Sequence, residues 1–131
     1  MPRRASATDE SCGIEVLKQA DLEVRDDGLL ITAHGADPAL LLPPLRLLGH
    51  HRLVLAIDIT APTQTTLRCF YNTEEFPEGY HRERRLKSPL RAGRNRVFLE
   101  LSVENLSGRL RFDPGSLPGE YRLHSLAVYE L

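Results

Sequence analysis

Tryptophan is absent from this 131-residue chain, methionine occurs once, and aromatic residues amount to only 6%. Without tryptophan, any flat platform for a ring-shaped ligand falls to the four Phe and four Tyr. Cysteine is scarce too: Cys12 and Cys69 lie far apart with no CxxC spacing. That excludes a disulfide framework and a cysteine zinc site, and both are read as reduced thiols. Nor is there an excess of one charge, since 17 Lys and Arg against 18 Asp and Glu leave a formal net charge of −1. Such a balance supplies no global drive toward nucleic acid or an anionic membrane. The longest apolar run, residues 39–48, is interrupted by Pro43, Pro44 and Arg46 and is too short for membrane insertion. After Met1-Pro2-Arg3-Arg4 come small and polar residues rather than an apolar segment. No secretory or twin-arginine signal is read, and a cytoplasmic location is the expectation.

Catalytic patterns are missing as well. His34, His50, His51, His81 and His124 show neither HxH nor HExxH spacing. His50 and His51, adjacent at a loop–strand junction, would point to opposite faces and not chelate together. Gly28, Gly35 and Gly49 are isolated turn residues, not a phosphate loop. Ser11-Cys12-Gly13 lies in a terminal stretch, and Cys69 falls on an apolar strand phase where a thiol is inert. The expectation is therefore a protein that is not an enzyme.

What the chain does have is alternation. Residues 1–12 are small and polar and read as a flexible N-terminal arm, with 13–131 as one domain. GIEVLKQ from Gly13, DLEVRDDG from Asp21 and LLITAH from Leu29 alternate apolar and polar residues, as half-buried strands do. Asp26-Asp27-Gly28 between the last two is a hairpin signal. Residues 39–48, with two prolines, read as an irregular crossing segment whose leucines plug the core. RLVLAIDIT (52–60) and TTLRCFYN (65–72) alternate next, and a polar loop over 72–79 follows. YHRERRLK (80–87), charged on both faces, reads as an edge strand, with Ser88-Pro89 and Ala92-Gly93 bracketing a turn. Val97, Leu99, Leu101 and Val103 oppose Arg96, Phe98, Glu100 and Ser102. A short strand over 108–112 ends at Asp113-Pro114-Gly115, and a last one spans 121–129. Its apolar phase shifts between Leu123 and Leu126, predicting a β-bulge near His124-Ser125. About eight to ten short strands with no amphipathic helix define an all-β sandwich or barrel.

Several stretches carry a family likeness: GLLITAHGADPALLLPPL, LVLAIDITAPTQTTLRCFY, SPLRAGRNRVFLEL and, above all, GRLRFDPGSLPGEYRLHSLAV. Over roughly residues 20–131 the chain resembles the galactose-binding-domain-like jelly rolls, the β-sandwich class that includes many carbohydrate-binding modules. More narrowly, it looks like an accessory module found beside bacterial glycosyltransferases and other polysaccharide-assembly proteins. The resemblance implies an antiparallel jelly-roll sandwich binding a glycan or sugar substrate without catalysing a reaction. It also implies a glycosyltransferase-type partner. The alternative is an interaction or oligomerisation domain, including a homo-oligomer, that supports such an enzyme without a ligand of its own.

Candidate ligand-binding residues follow from strand phase. Arg68, Arg82, Arg84, Arg109 and Arg111 fall on non-core phases, as do Asp58 and Glu100. On neighbouring strands they would make either a groove for an acidic glycan or nucleotide-sugar phosphate, or a solvated ladder of ion pairs. Phe70, Phe76, Tyr80 and Tyr121 are candidates for partial exposure, with Phe70 and Tyr80 placed to stack a sugar ring. Asp113 is expected to fold its own turn by accepting backbone N–H bonds. A structural calcium on Asp113 is the lesser expectation, and the turn carboxylates Asp26, Asp27 and Asp37 lack the spacing to support one. No other cofactor or metal is expected.

Overall fold

The computed structural model describes residues 3–4, 13–45, 47 and 52–131. Cys12, the His50-His51 pair and most of the expected N-terminal arm lie outside the described residues. The strands in chain order are β1 (Arg3–Arg4), β2 (Glu15–Lys18), β3 (Ala20–Arg25), β4 (Gly28–Ala33), β5 (Ala39–Leu41) and β6 (Arg52–Ala61). They continue with β7 (Thr65–Thr73), β8 (Arg85–Leu90), β9 (Gly93–Ser102), β10 (Leu106–Asp113) and β11 (Gly119–Glu130). One antiparallel sheet has the order β3-β4-β11-β6-β9, with β1 pairing the C-terminal end of β11. The other has the order β2-β5-β10-β7-β8. No helix occurs among the described residues.

The alternation in the sequence is the alternation in the sandwich. Leu53, Leu55, Ile57 and Ile59 on β6 and Val97, Leu99 and Leu101 on β9 point inward from the first sheet. Leu67 and Cys69 on β7, with Leu110 and Phe112 on β10, meet them from the second. Residues 39–41, expected to be irregular, instead form β5 between β2 and β10, since Pro43 and Pro44 fall just after the strand. Leu40 within it and Leu42 beyond it are buried, as leucines plugging the core were expected to be. Burial pushes the Cys69 thiol up to about 12, and the nearby Asp113 charge acts in the same direction, so this cysteine is inert.

Three further elements differ from expectation. Residues 80–84 are loop, and the edge strand runs on through Ser88-Pro89 to Leu90. Pro89 is tolerated there because β8 has a free edge toward which a missing N–H can point. Tyr121, expected to be partly exposed, is fully buried, and its hydroxyl donates to the Leu117 carbonyl at 2.8 Å. Its ring explains Gly115, where a Cβ would lie 2.2 Å from the Tyr121 hydroxyl oxygen. Asp113 does not cap its own turn: both carboxylate oxygens accept from Arg111, at 2.9 and 3.0 Å.

Candidate functional site

The outward side of the first sheet forms a trough. Across β9, β6 and β11 the register aligns Phe98 with Ala56 and Ala127, Arg96 with Asp58 and Ser125, and Glu100 with Val54 and Tyr129. Small residues therefore make the floor and aromatics stand beside it. Phe98 is 72% exposed, the most exposed large apolar side chain among the described residues. The trough has a volume of about 970 Å³.

One wall is the β3–β4 turn, which the β-bulge holds in place. Leu123 pairs with Ile59 and Ser125 with Asp58, so His124 is the extra residue, where the phase shift had placed it. Its ring lies 2.8 Å from Thr60 Oγ1 through Nε2 and 3.2 Å from the Asp27 carbonyl through Nδ1. Arg122 Nη1 donates to Asp27 Oδ2 at 2.8 Å. Gly28 lets the turn come this close, since a Cβ there would lie 2.3 Å from the Leu123 carbonyl oxygen. Toward the middle of the trough, Arg94 donates to both oxygens of Asp58, at 2.9 and 2.7 Å, while Arg96 stands 3.8 Å away. Hydrogen bonding from Arg94 holds the Asp58 carboxyl below its ordinary range. The trough thus offers an exposed aromatic ring next to an ionised, bidentate Arg–Asp pair.

The second sheet's outward side holds most of the residues read from sequence. Arg68, Phe70, Tyr80, Arg82 and Arg111 line one shallow depression, with Lys18, Asp37, His81, Arg85 and Asp113 around them. Asp58 and Glu100 are not among them, because they belong to the opposite sheet. Phe70 is 7% exposed, for the Arg111 guanidinium sits 4.7 Å above its ring, so it offers no stacking face. Arg111 also donates to Asp37 at 2.9 Å, which makes it a link between β10 and the loop before β5. Tyr80 donates to the Arg109 carbonyl at 2.7 Å. Arg109 itself is structural, donating to the Leu42 and Gly13 carbonyls.

Arg84 is not presented to ligand. Its guanidinium packs 4.5 Å from the Phe76 ring centroid, and its buried Nε and Nη2 have no hydrogen-bond partner. The ring attraction offsets only part of the cost of two unsatisfied donors, about 1–3 kcal/mol each. Arg84→Met is accordingly expected to stabilise the fold by about 1 kcal/mol, because an apolar isostere removes the buried donors. Chemical denaturation checks this, and a lower midpoint would show that the guanidinium is satisfied after all.

Among the described residues no group of three or more His, Cys, Asp or Glu is arranged to hold a metal ion. Phe98, on the outward phase of β9, is not among the candidate residues that strand phase and residue type single out. Its signal was present, an aromatic on the polar phase of a clean alternation, but phase alone does not say which strands lie beside it.

No family model matches the chain, and no curated protein is similar to it. Solved structures do match. A xylan-binding module of class CBM15 aligns with a TM-score of 0.65 at 13% identity, covering 99% of this chain and 96% of that one. The CBM6 module of Cellvibrio mixtus lichenase 5A, solved with cellotriose, aligns at 0.62 and 11% identity, covering 98% and 96%. An enzymatically active domain of a bacteriophage CBA120 tailspike aligns at 0.66 and 11% identity, covering 97% of this chain but only 21% of that one. The fold is thus the antiparallel β-sandwich of carbohydrate-binding modules.

Proposed function

We propose that this chain is a non-catalytic carbohydrate-binding module whose ligand lies in the trough on the first sheet. The exposed ring of Phe98, beside the Arg94–Asp58 pair on an Ala56/Ala127 floor, carries the reading. A sugar presents an apolar ring face and a fringe of hydroxyls. Phe98 matches the first, and the Asp58 oxygens and Arg96 donors match the second. The motif resemblance around residues 108–128 supports a setting in bacterial surface-polysaccharide assembly, beside a glycosyltransferase. Affinity electrophoresis against a panel of soluble polysaccharides tests this. Phe98→Ala is expected to weaken binding about tenfold, the value of one aromatic stacking contact, with unchanged thermal stability. Binding to no polysaccharide, or equal binding by the variant, overturns the assignment.

A second reading, an interaction domain supporting such an enzyme, is favoured by one observation. Val16 and Leu17, on edge strand β2, are 43% and 42% exposed, so among the described residues both faces of that strand stay partly open. Light scattering that finds only monomer over a wide range of concentration removes its self-associating form.

A further inference from the structure

On the opposite side of the sandwich, β7 and β8 bring cations together, and the acid across from Arg68, Asp113 on β10, already accepts from Arg111 with both oxygens. Arg68 is directly across from Lys87, and Phe70 from Arg85. Arg82, in the preceding loop, lines the same depression. Among the described residues none of these four cations forms an ion pair, although Arg111 beside them takes both Asp113 and Asp37, and Lys18 takes Asp37. The two acids within reach are therefore already committed.

Like charges directly across a strand pair, with Cβ atoms about 5 Å apart, destabilise the sheet. Arg68 and Lys87 are such a pair, and Arg85 follows Lys87's side of β8 at about 6.7 Å along the strand. A bound oxyanion between them removes the repulsion and meets several N–H donors at once. Arg guanidinium groups give planar, paired donors to a carboxylate or sulfate. The Tyr80 ring, half-buried and pinned by its hydroxyl, borders the same depression.

We propose that Arg68, Arg82, Arg85 and Lys87 form a second site, on the face away from Phe98, that binds the oxyanion groups of an acidic polysaccharide. The site is independent of the trough. Carboxylates of uronic acids and sulfate esters share the required chemistry. Successive acidic groups along one chain suit cations spaced along two strands better than a single small anion does.

The test is titration calorimetry of the full chain with four probes: a heparin octasaccharide, an oligogalacturonate, a neutral cello-oligosaccharide and a single-stranded oligonucleotide of equal charge. The heparin or the galacturonate probe is expected to bind, more weakly as salt rises. Binding of the galacturonate shows that carboxylate suffices, whereas binding of heparin without the galacturonate assigns the oxyanion to sulfate, since heparin carries uronic carboxylates too. Arg68→Gln with Arg85→Gln is expected to weaken that binding at least tenfold, while Phe98→Ala leaves it unchanged. Without ligand the double variant should melt no lower than the parent, since the replaced charges have no partner to lose; a lower melting point overturns the unpaired state. Retained binding by the double variant, binding of neither acidic probe, or equal affinity for the oligonucleotide overturns the proposal. Loss through Phe98→Ala alone would instead assign the acidic glycan to the trough.

Discussion

Asp113→Ala is expected to lower stability by about 3 kcal/mol, the low end for breaking a buried ion pair, and the melting temperature by about 10 °C. Asp113 is 3% exposed and Arg111 9%, so truncating the acid leaves a buried guanidinium whose remaining acid is the half-exposed Asp37. Part of the loss is offset, because burial pushes the Asp113 carboxyl above its ordinary range even with Arg111 beside it. The folded protein therefore holds that proton more tightly than the unfolded chain does. Asp113 alone makes stability fall as pH rises from the unfolded value of 3.8 through the higher folded one. Asp37 and Asp58, held below their ordinary range by Lys18 and Arg94, act in the opposite sense on acidification. Replacing both partners, Arg111→Met with Asp113→Leu, should stay within about 1 kcal/mol of the parent, since an apolar pair carries no stranded charge. Urea unfolding separates the cases: a double variant as unstable as the single one would locate the cost in packing rather than in charge.

Gly28→Ala is expected to cost about 3 kcal/mol and to open the trough. Gly28 has φ 135°, a conformation an L side chain rarely adopts. An added Cβ would also meet the Leu123 carbonyl oxygen at 2.3 Å, and backbone cannot step aside as a side chain can. Relief must come from moving the β3–β4 turn away from the bulge, breaking the contacts of Asp27 with His124 and Arg122. Strain and overpacking of this kind cost about 1–3 kcal/mol each. Glycan affinity should fall with stability, whereas in Phe98→Ala affinity falls alone. A stable Gly28→Ala protein with full affinity would show that the turn does not shape the trough.

Much of the fold is legible because alternation reports burial directly. The inward rows of β6 and β9, the Asp26-Asp27-Gly28 hairpin and the bulge at His124 all follow from the phase of apolar residues. Sheet partnership is not written in phase. Asp58 and Arg68 both read as outward, yet they lie on opposite sheets, so the expected mixed groove divides into two faces. The register shift in β10 between Ser107 and Arg111 was hidden as well, because it rests on backbone angles around Gly108 rather than on hydropathy. Arg84 and Phe70 show the remaining limit, since whether an outward side chain meets water depends on the neighbour that covers it.

The place of β11 between β4 and β6 has a consequence during synthesis. Leu30 finds its partner in Arg122, and Ile59 in Leu123, so the first sheet cannot join until its last strand has been made. At ribosomal speeds that wait is about ten seconds. The apolar runs of β4 and β6 spend it without their shared neighbour. Nascent chains stalled before residue 119 are thus where chaperone capture and aggregation should concentrate, and the first sheet should close only as β11 emerges.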